Sequence, residues 1–168
     1  MNEMTSHPYT IKNFLPLIII VSIILAFTVI KQLIYGYDLR SAMYDFMGSF
    51  FIIFSAFKIF NLNGFVHAYS MYDIIAKQTI YYAYAYPFIE LALGLAYLFR
   101  YQLILANFIT LLLMIVSSIG VWCELAEGRQ ITCACLGAVF KLPMTYVTLA
   151  EDAIMGLMAL IILIKYFY

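Results

Sequence analysis

Residues 101–122 read YQLILANFITLLLMIVSSIGVW, 22 positions without an Asp, Glu, Lys or Arg, and the next charge is Glu124. A hydrocarbon core about 30 Å thick is crossed by roughly 20 mostly apolar helical residues. The stretch therefore predicts a membrane-spanning helix. Working outward, residues 14–33 carry no charge between Lys12 and Lys31. Residues 42–60 hold Asp45 near one end and Lys58 near the other, and residues 78–99 hold Glu90 near the middle. Residues 144–164 contain the adjacent acids Glu151 and Asp152. These runs are long and lack the polar–apolar alternation of barrel strands. The expected fold is an all-α integral membrane protein with five spanning helices.

Composition agrees. The 168 residues are 66% hydrophobic, 18% aromatic and 11% charged, against roughly 45–50% apolar and about 25% charged in soluble domains. A mean hydropathy of +0.98 leaves too little polar surface for a soluble globule. Disorder is excluded on the same grounds. Nine basic and nine acidic residues balance to zero net charge, with no basic tract. Nucleic-acid binding thus has no electrostatic basis, and the lipid bilayer is the expected surrounding. No small-residue cleavage site follows the first apolar run, so that helix is read as a retained span.

Two connections are longer than turns. Residues 61–77 are rich in aromatic side chains and are expected at the membrane interface, as is the tyrosine cluster Tyr81, Tyr82, Tyr84 and Tyr86. Residues 123–143 hold all three cysteines. Pro143 is expected at the first turn of the last helix. Basic residues divide into Lys31, Arg40, Arg100 and Lys165 on one side, and Lys12, Lys58, Lys77, Arg129 and Lys141 on the other. The count is nearly even. The flanks of the first helix favour the Lys31/Arg40 side as cytoplasmic, with the cysteine loop outward.

Cys133-Ala134-Cys135, followed by Leu136-Gly137, is the most specific local signal. Two thiols at this spacing can clamp a soft metal such as Cu(I) or Hg(II), or they can exchange disulfides. In extended chain they lie roughly 6.6–7 Å apart, at the edge of disulfide geometry, so a direct bond needs a tight turn. Cys123 is a candidate resolving partner. Three inert buried cysteines are the bland alternative.

Carboxylates and ammonium groups inside a bilayer face partners or water. Glu90 shares a helical face with Tyr86, Pro87, Gly94 and Tyr97 by i±3, i±4 and i+7 spacing. Lys58 is expected to pair with Glu151 or Asp152, for structure or for function. Met144, Met155 and Met158 fall in one stripe with Thr148 and Glu151, as core filling or, on the metal reading, as thioether ligands with Cys133 and Cys135. His7 and His67 have no neighbouring His or Cys at ligand spacing.

These residues carry a resemblance. Gly48-Ser49-Phe50-Phe51 with Ser55-Ala56-Phe57-Lys58, Tyr86-Pro87-Phe88-Ile89-Glu90-Leu91 with Gly94, Cys133-Ala134-Cys135-Leu136-Gly137, and Lys141 through Asp152 resemble the MauE/DoxX family of redox-associated membrane proteins. The resemblance runs over residues 41–168. It implies a DoxX-like four-helix transmembrane bundle, here preceded by one extra N-terminal helix within residues 1–40. It further implies thiol–disulfide chemistry at Cys133, Cys135 and Cys123, supported by Lys58, Glu90, Glu151 and Asp152. The implied partner is a thioredoxin-like protein, the implied carrier a quinone, and the implied location a bacterial-type inner membrane with the cysteine loop periplasmic. The extra helix and the lack of an attached soluble redox domain depart from the family pattern, which leaves client and electron source open. A soft-metal binding or transport protein is the alternative.

Overall fold

A computed structural model of the chain describes residues 15–127, 132–134, 136, 142–143 and 146–167. The five expected long helices are present in order, as α1 (Leu15–Tyr35), α2 (Leu39–Phe60), α4 (Ile80–Leu98), α5 (Leu103–Ala126) and α6 (Tyr146–Phe167). A short helix, α3 (Leu62–Tyr69), lies between α2 and α4. A two-residue antiparallel ladder of β1 (Thr132–Cys133) and β2 (Leu142–Pro143) precedes α6, with Cys133 opposite Leu142. Helices α1, α2 and α5 are long and apolar enough to cross a membrane. The protein is an all-α membrane protein.

The main packing pairs are α2 with α4 and α5 with α6, while α1 leans on α2 from outside. The crossing of α2 and α4 is tight because both helices place glycine there. A Cβ on Gly94 would stand 2.7 Å from Ile52 Cγ1 and 3.1 Å from the Gly48 carbonyl. Small residues let membrane helices approach backbone to backbone. The buried stripe of α4 is Ala83, Tyr86, Pro87, Glu90, Leu93, Gly94 and Tyr97, the face expected for Glu90. Pro87 lies within this helix, on its buried face.

Four local expectations change. Residues 61–77 do not simply lie at the interface: Phe65, Val66, Tyr69, Tyr72, Asp73 and Ala76 are buried in the bundle. Asp73 makes this inward fold affordable in hydrogen bonds, accepting from the backbone N–H groups of Ile75 (3.0 Å) and Ala76 (2.8 Å) and from the Tyr69 hydroxyl (3.0 Å). Gly120 on α5 accommodates the segment, since a Cβ there would meet the Tyr72 carbonyl at 2.8 Å. Helix α5 continues through Cys123 to Ala126, so Cys123 is helical rather than in the loop. Pro143 ends β2, and α6 begins at Tyr146. A proline fits there because both strands of a two-stranded ladder are edges. The tyrosine cluster divides: Tyr81 and Tyr84 are exposed, whereas Tyr86 is buried and its ring packs 4.6 Å from that of Tyr69.

Candidate functional site

At the α2 C-terminal end of the bundle, five helices and two connections line a small cavity of about 30 Å³, with Phe65 and Tyr69 of α3 among the lining residues. Helix α2 contributes Lys58, α4 Tyr86 and Glu90, α5 Met114 and Ser117, and α6 Thr148, Glu151 and Asp152. Tyr72 closes one side and Ala134, the residue between Cys133 and Cys135, closes another. Phe50, Phe51 and Phe54 form an apolar wall.

Lys58 donates to both carboxylate oxygens of Glu90, each at 2.6 Å. Its ammonium also stands 4.9 Å from the centre of the Tyr86 ring. The pairing expected with Glu151 or Asp152 is therefore corrected: the bonded partner is Glu90. Helical geometry supplies the reason. Helices α2 and α4 are antiparallel around Gly48 and Gly94, and side chains lean toward their own helix N-terminus. Lys58 thus leans back toward the crossing while Glu90 leans away from it, and the two meet. Asp152 instead accepts a hydrogen bond from Ser117 Oγ at 2.7 Å. Glu151 is half-buried and accepts no hydrogen bond among the described residues. Glu90, Glu151 and Asp152 nevertheless share one cavity with Lys58, three carboxylates around a single ammonium.

The cysteine loop reaches this cavity. Ala134 is fully buried, and its backbone is hydrogen-bonded with the Tyr72 hydroxyl. Burial pushes the Tyr72 phenol well above its ordinary range, and the nearby Asp152 carboxylate adds to the effect. The phenol therefore stays protonated. Leu136 is also fully buried, packed with Leu17 and Ile24 of α1 and Phe54 of α2. Both described side chains of the 133–136 stretch are thus anchored in the bundle.

The sequence-derived site residues are not all brought together. Cys133 lies in β1, while Cys135 and Met144 lie outside the described residues. Cys123 is a free cysteine on the exposed face of α5 and does not line the cavity. Its neighbour Glu124 points inward and accepts from Lys77 at 2.6 Å. Met155 is part of the main apolar core, with Met158 packed against it. His67 is exposed. Among the described residues, no group of three or more His, Cys, Asp and Glu side chains is placed to hold a metal ion.

Several contributors were missed. Ser117 belongs to a stripe on α5 (Thr110, Leu113, Met114, Ser117, Gly120, Val121, Glu124) whose helical spacing was readable. Tyr72 carried no such signal, because its position depends on the inward fold of a connection. At the opposite end, fully buried Asp45 accepts from Lys31 (2.8 Å) and Arg100 (2.6 Å). Two basic residues grouped on one side by sequence therefore meet at one end of the bundle.

The profile of the family described as Methylamine utilisation protein MauE matches residues 31–165, which include α2 to α5, α6 as far as Lys165, and every residue lining the cavity. No curated protein and no solved structure matches the chain. The matched span is most of the chain, and it coincides with the helices that build the polar cavity. The protein is a multi-pass membrane protein and belongs to the MauE family.

Proposed function

We propose that the chain is a membrane thiol–disulfide exchange protein in which Cys133 and Cys135 are the exchanging pair. The observation that carries this reading is the position of Ala134, buried between the two cysteines against a cavity that holds Lys58, Glu90, Glu151 and Asp152. A thiol attacks as its thiolate, so exchange needs a proton acceptor within reach. The acids of α6 lie in the cavity that the cysteine loop closes, which supplies such acceptors. In the proposed step, one thiolate attacks the disulfide of a thioredoxin-like partner and forms a mixed disulfide. The second thiolate then displaces the partner. The chain's dithiol is oxidised to a disulfide, the partner's disulfide is reduced to a dithiol, and the two protons lost by the chain are taken up by the partner thiols.

A cavity of 30 Å³ accommodates about two waters. It does not accommodate a quinone ring, so a quinone acting as membrane carrier docks elsewhere. The Lys31–Arg100–Asp45 end fits the cytoplasmic side by the positive-inside tendency, which puts the cysteine end outside. Thiol trapping on intact cells tests the reading. Replacing the attacking cysteine of the pair by Ser should abolish mixed-disulfide capture of a thioredoxin-like protein, replacing the other should make the mixed disulfide accumulate, and an impermeant maleimide should label the reduced pair without lysis. Full thiol–disulfide exchange activity in both variants overturns the chemistry, and labelling only after lysis overturns the orientation.

A further inference from the structure

The end of the bundle away from the cysteine loop contains a second cavity, of about 260 Å³, between the start of α2, the start of α5 and the end of α6. Its character is amphipathic. Arg40 and Arg100 stand on its polar side, and Leu103, Ile104, Ile162 and Leu163 form its apolar side. The two guanidiniums are differently employed. Arg100 is held by the Tyr97 carbonyl, by Ser41 and by Asp45. Arg40 is exposed and makes no hydrogen bond or ion pair among the described residues. Asp38, two residues before Arg40, is engaged in capping α2, accepting from the Ser41 N–H at 2.9 Å. Helix α5 also begins at this cavity, and Gln102 before it supplies no side-chain cap. Unmet N–H groups at the α5 start add partial positive charge, offset by the carbonyls at the end of α6, so the arginines carry the site's charge.

We infer that this cavity binds the phosphate headgroup of an anionic phospholipid, a phosphodiester monoanion with an apolar tail. Arg40 supplies the free guanidinium, Arg100 is a fixed second charge, and the Leu103/Ile162 side receives the first part of an acyl chain. Arginine suits this task because its planar fork matches phosphate oxygens. The volume lies just under the about 300 Å³ at which small-molecule sites begin, which fits a headgroup rather than a whole lipid. Basic pockets between membrane helices are a known setting for anionic headgroups. The site is independent of the thiol chemistry proposed above.

The test uses the full chain in phosphatidylcholine nanodiscs with and without phosphatidylglycerol, reading retained lipid by native mass spectrometry after release. Arg40→Gln should reduce phosphatidylglycerol retention about tenfold, the loss of a charge-assisted hydrogen bond. Lys165→Gln removes an exposed charge that does not line the cavity and should change retention less than about twofold. Equal losses in the two variants, or no preference over phosphatidylcholine, overturn the site. Displacement of the lipid by inorganic phosphate at millimolar concentration overturns the lipid assignment in favour of a free phosphate.

Discussion

Replacing Lys58 tests the electrostatic centre of the cavity most directly. The ammonium is 6% exposed as a residue and bonded to both oxygens of Glu90, which is 3% exposed. Removing one member of a buried pair strands the other and typically costs about 3–5 kcal/mol. Lys58→Met belongs at the upper end of that range, because it leaves three carboxylates in one cavity with no cation among the lining residues. Glu90→Gln should cost less, since Glu151 and Asp152 remain to attract the lysine. The double variant should be milder than the sum of the two, with a coupling of about 1 kcal/mol or more. Unfolding of the full chain in mixed micelles, followed by circular dichroism, gives the four free energies. Additive single and double changes would refute the pair. A Lys58–Asp152 cycle with stronger coupling than Lys58–Glu90 would refute the assignment of partner.

Three further outcomes follow from other contacts. Gly94→Val should destabilise by about 1–3 kcal/mol through overpacking, because even its Cβ would stand 2.7 Å from Ile52 Cγ1, and a thermal melt in micelles reads the loss. Tyr72→Phe removes the hydrogen bond with Ala134; it should cost about 1 kcal/mol and speed maleimide labelling of the cysteine pair, and an unchanged labelling rate would mean that Tyr72 does not hold the loop. Cys123→Ser should leave the level of mixed disulfide unchanged, as its exposed side chain faces away from the cavity; accumulation of the mixed disulfide would restore Cys123 as the resolving thiol.

The helices and their inward faces were legible in the sequence because hydropathy and 3.6-residue spacing are local properties. Tyr86, Pro87, Glu90, Gly94 and Tyr97 were read as one face of α4, and all five are buried. Adjacency between helices is not local. Lys58 had acids on two other helices within its range, and only the Gly48–Gly94 crossing selects Glu90. The inward fold of residues 61–77 was hidden for a different reason. Tyrosines score as interfacial, and the burial of Tyr69 and Tyr72 depends on Asp73 satisfying the turn's own N–H groups and on the missing Cβ of Gly120. Neither condition leaves a periodic trace. The end of α5 was misread because Cys123 resembles the other two cysteines in type, although Glu124 beside it belongs to the helix's buried stripe.

The cavity's composition is difficult to explain as helix glue alone. One Lys58–Glu90 pair would hold α2 to α4, and adding Glu151 and Asp152 brings two more acids without another cation among the lining residues. Buried charge of one sign is costly unless protons or water offset it. A structural role gains nothing from that cost, whereas a dithiol that becomes a disulfide has two protons to hand over. A helix starting at Pro143 would put Glu151 about 12 Å below the loop. The structure changes that estimate at both ends. Helix α6 starts at Tyr146, five residues before Glu151, and the cysteine loop is drawn inward by Ala134 and Leu136. On the thiol-exchange proposal, Lys58 is the fixed charge that keeps this acid cluster compatible with the bundle, and Tyr72, hydrogen-bonded with Ala134, holds the loop against it.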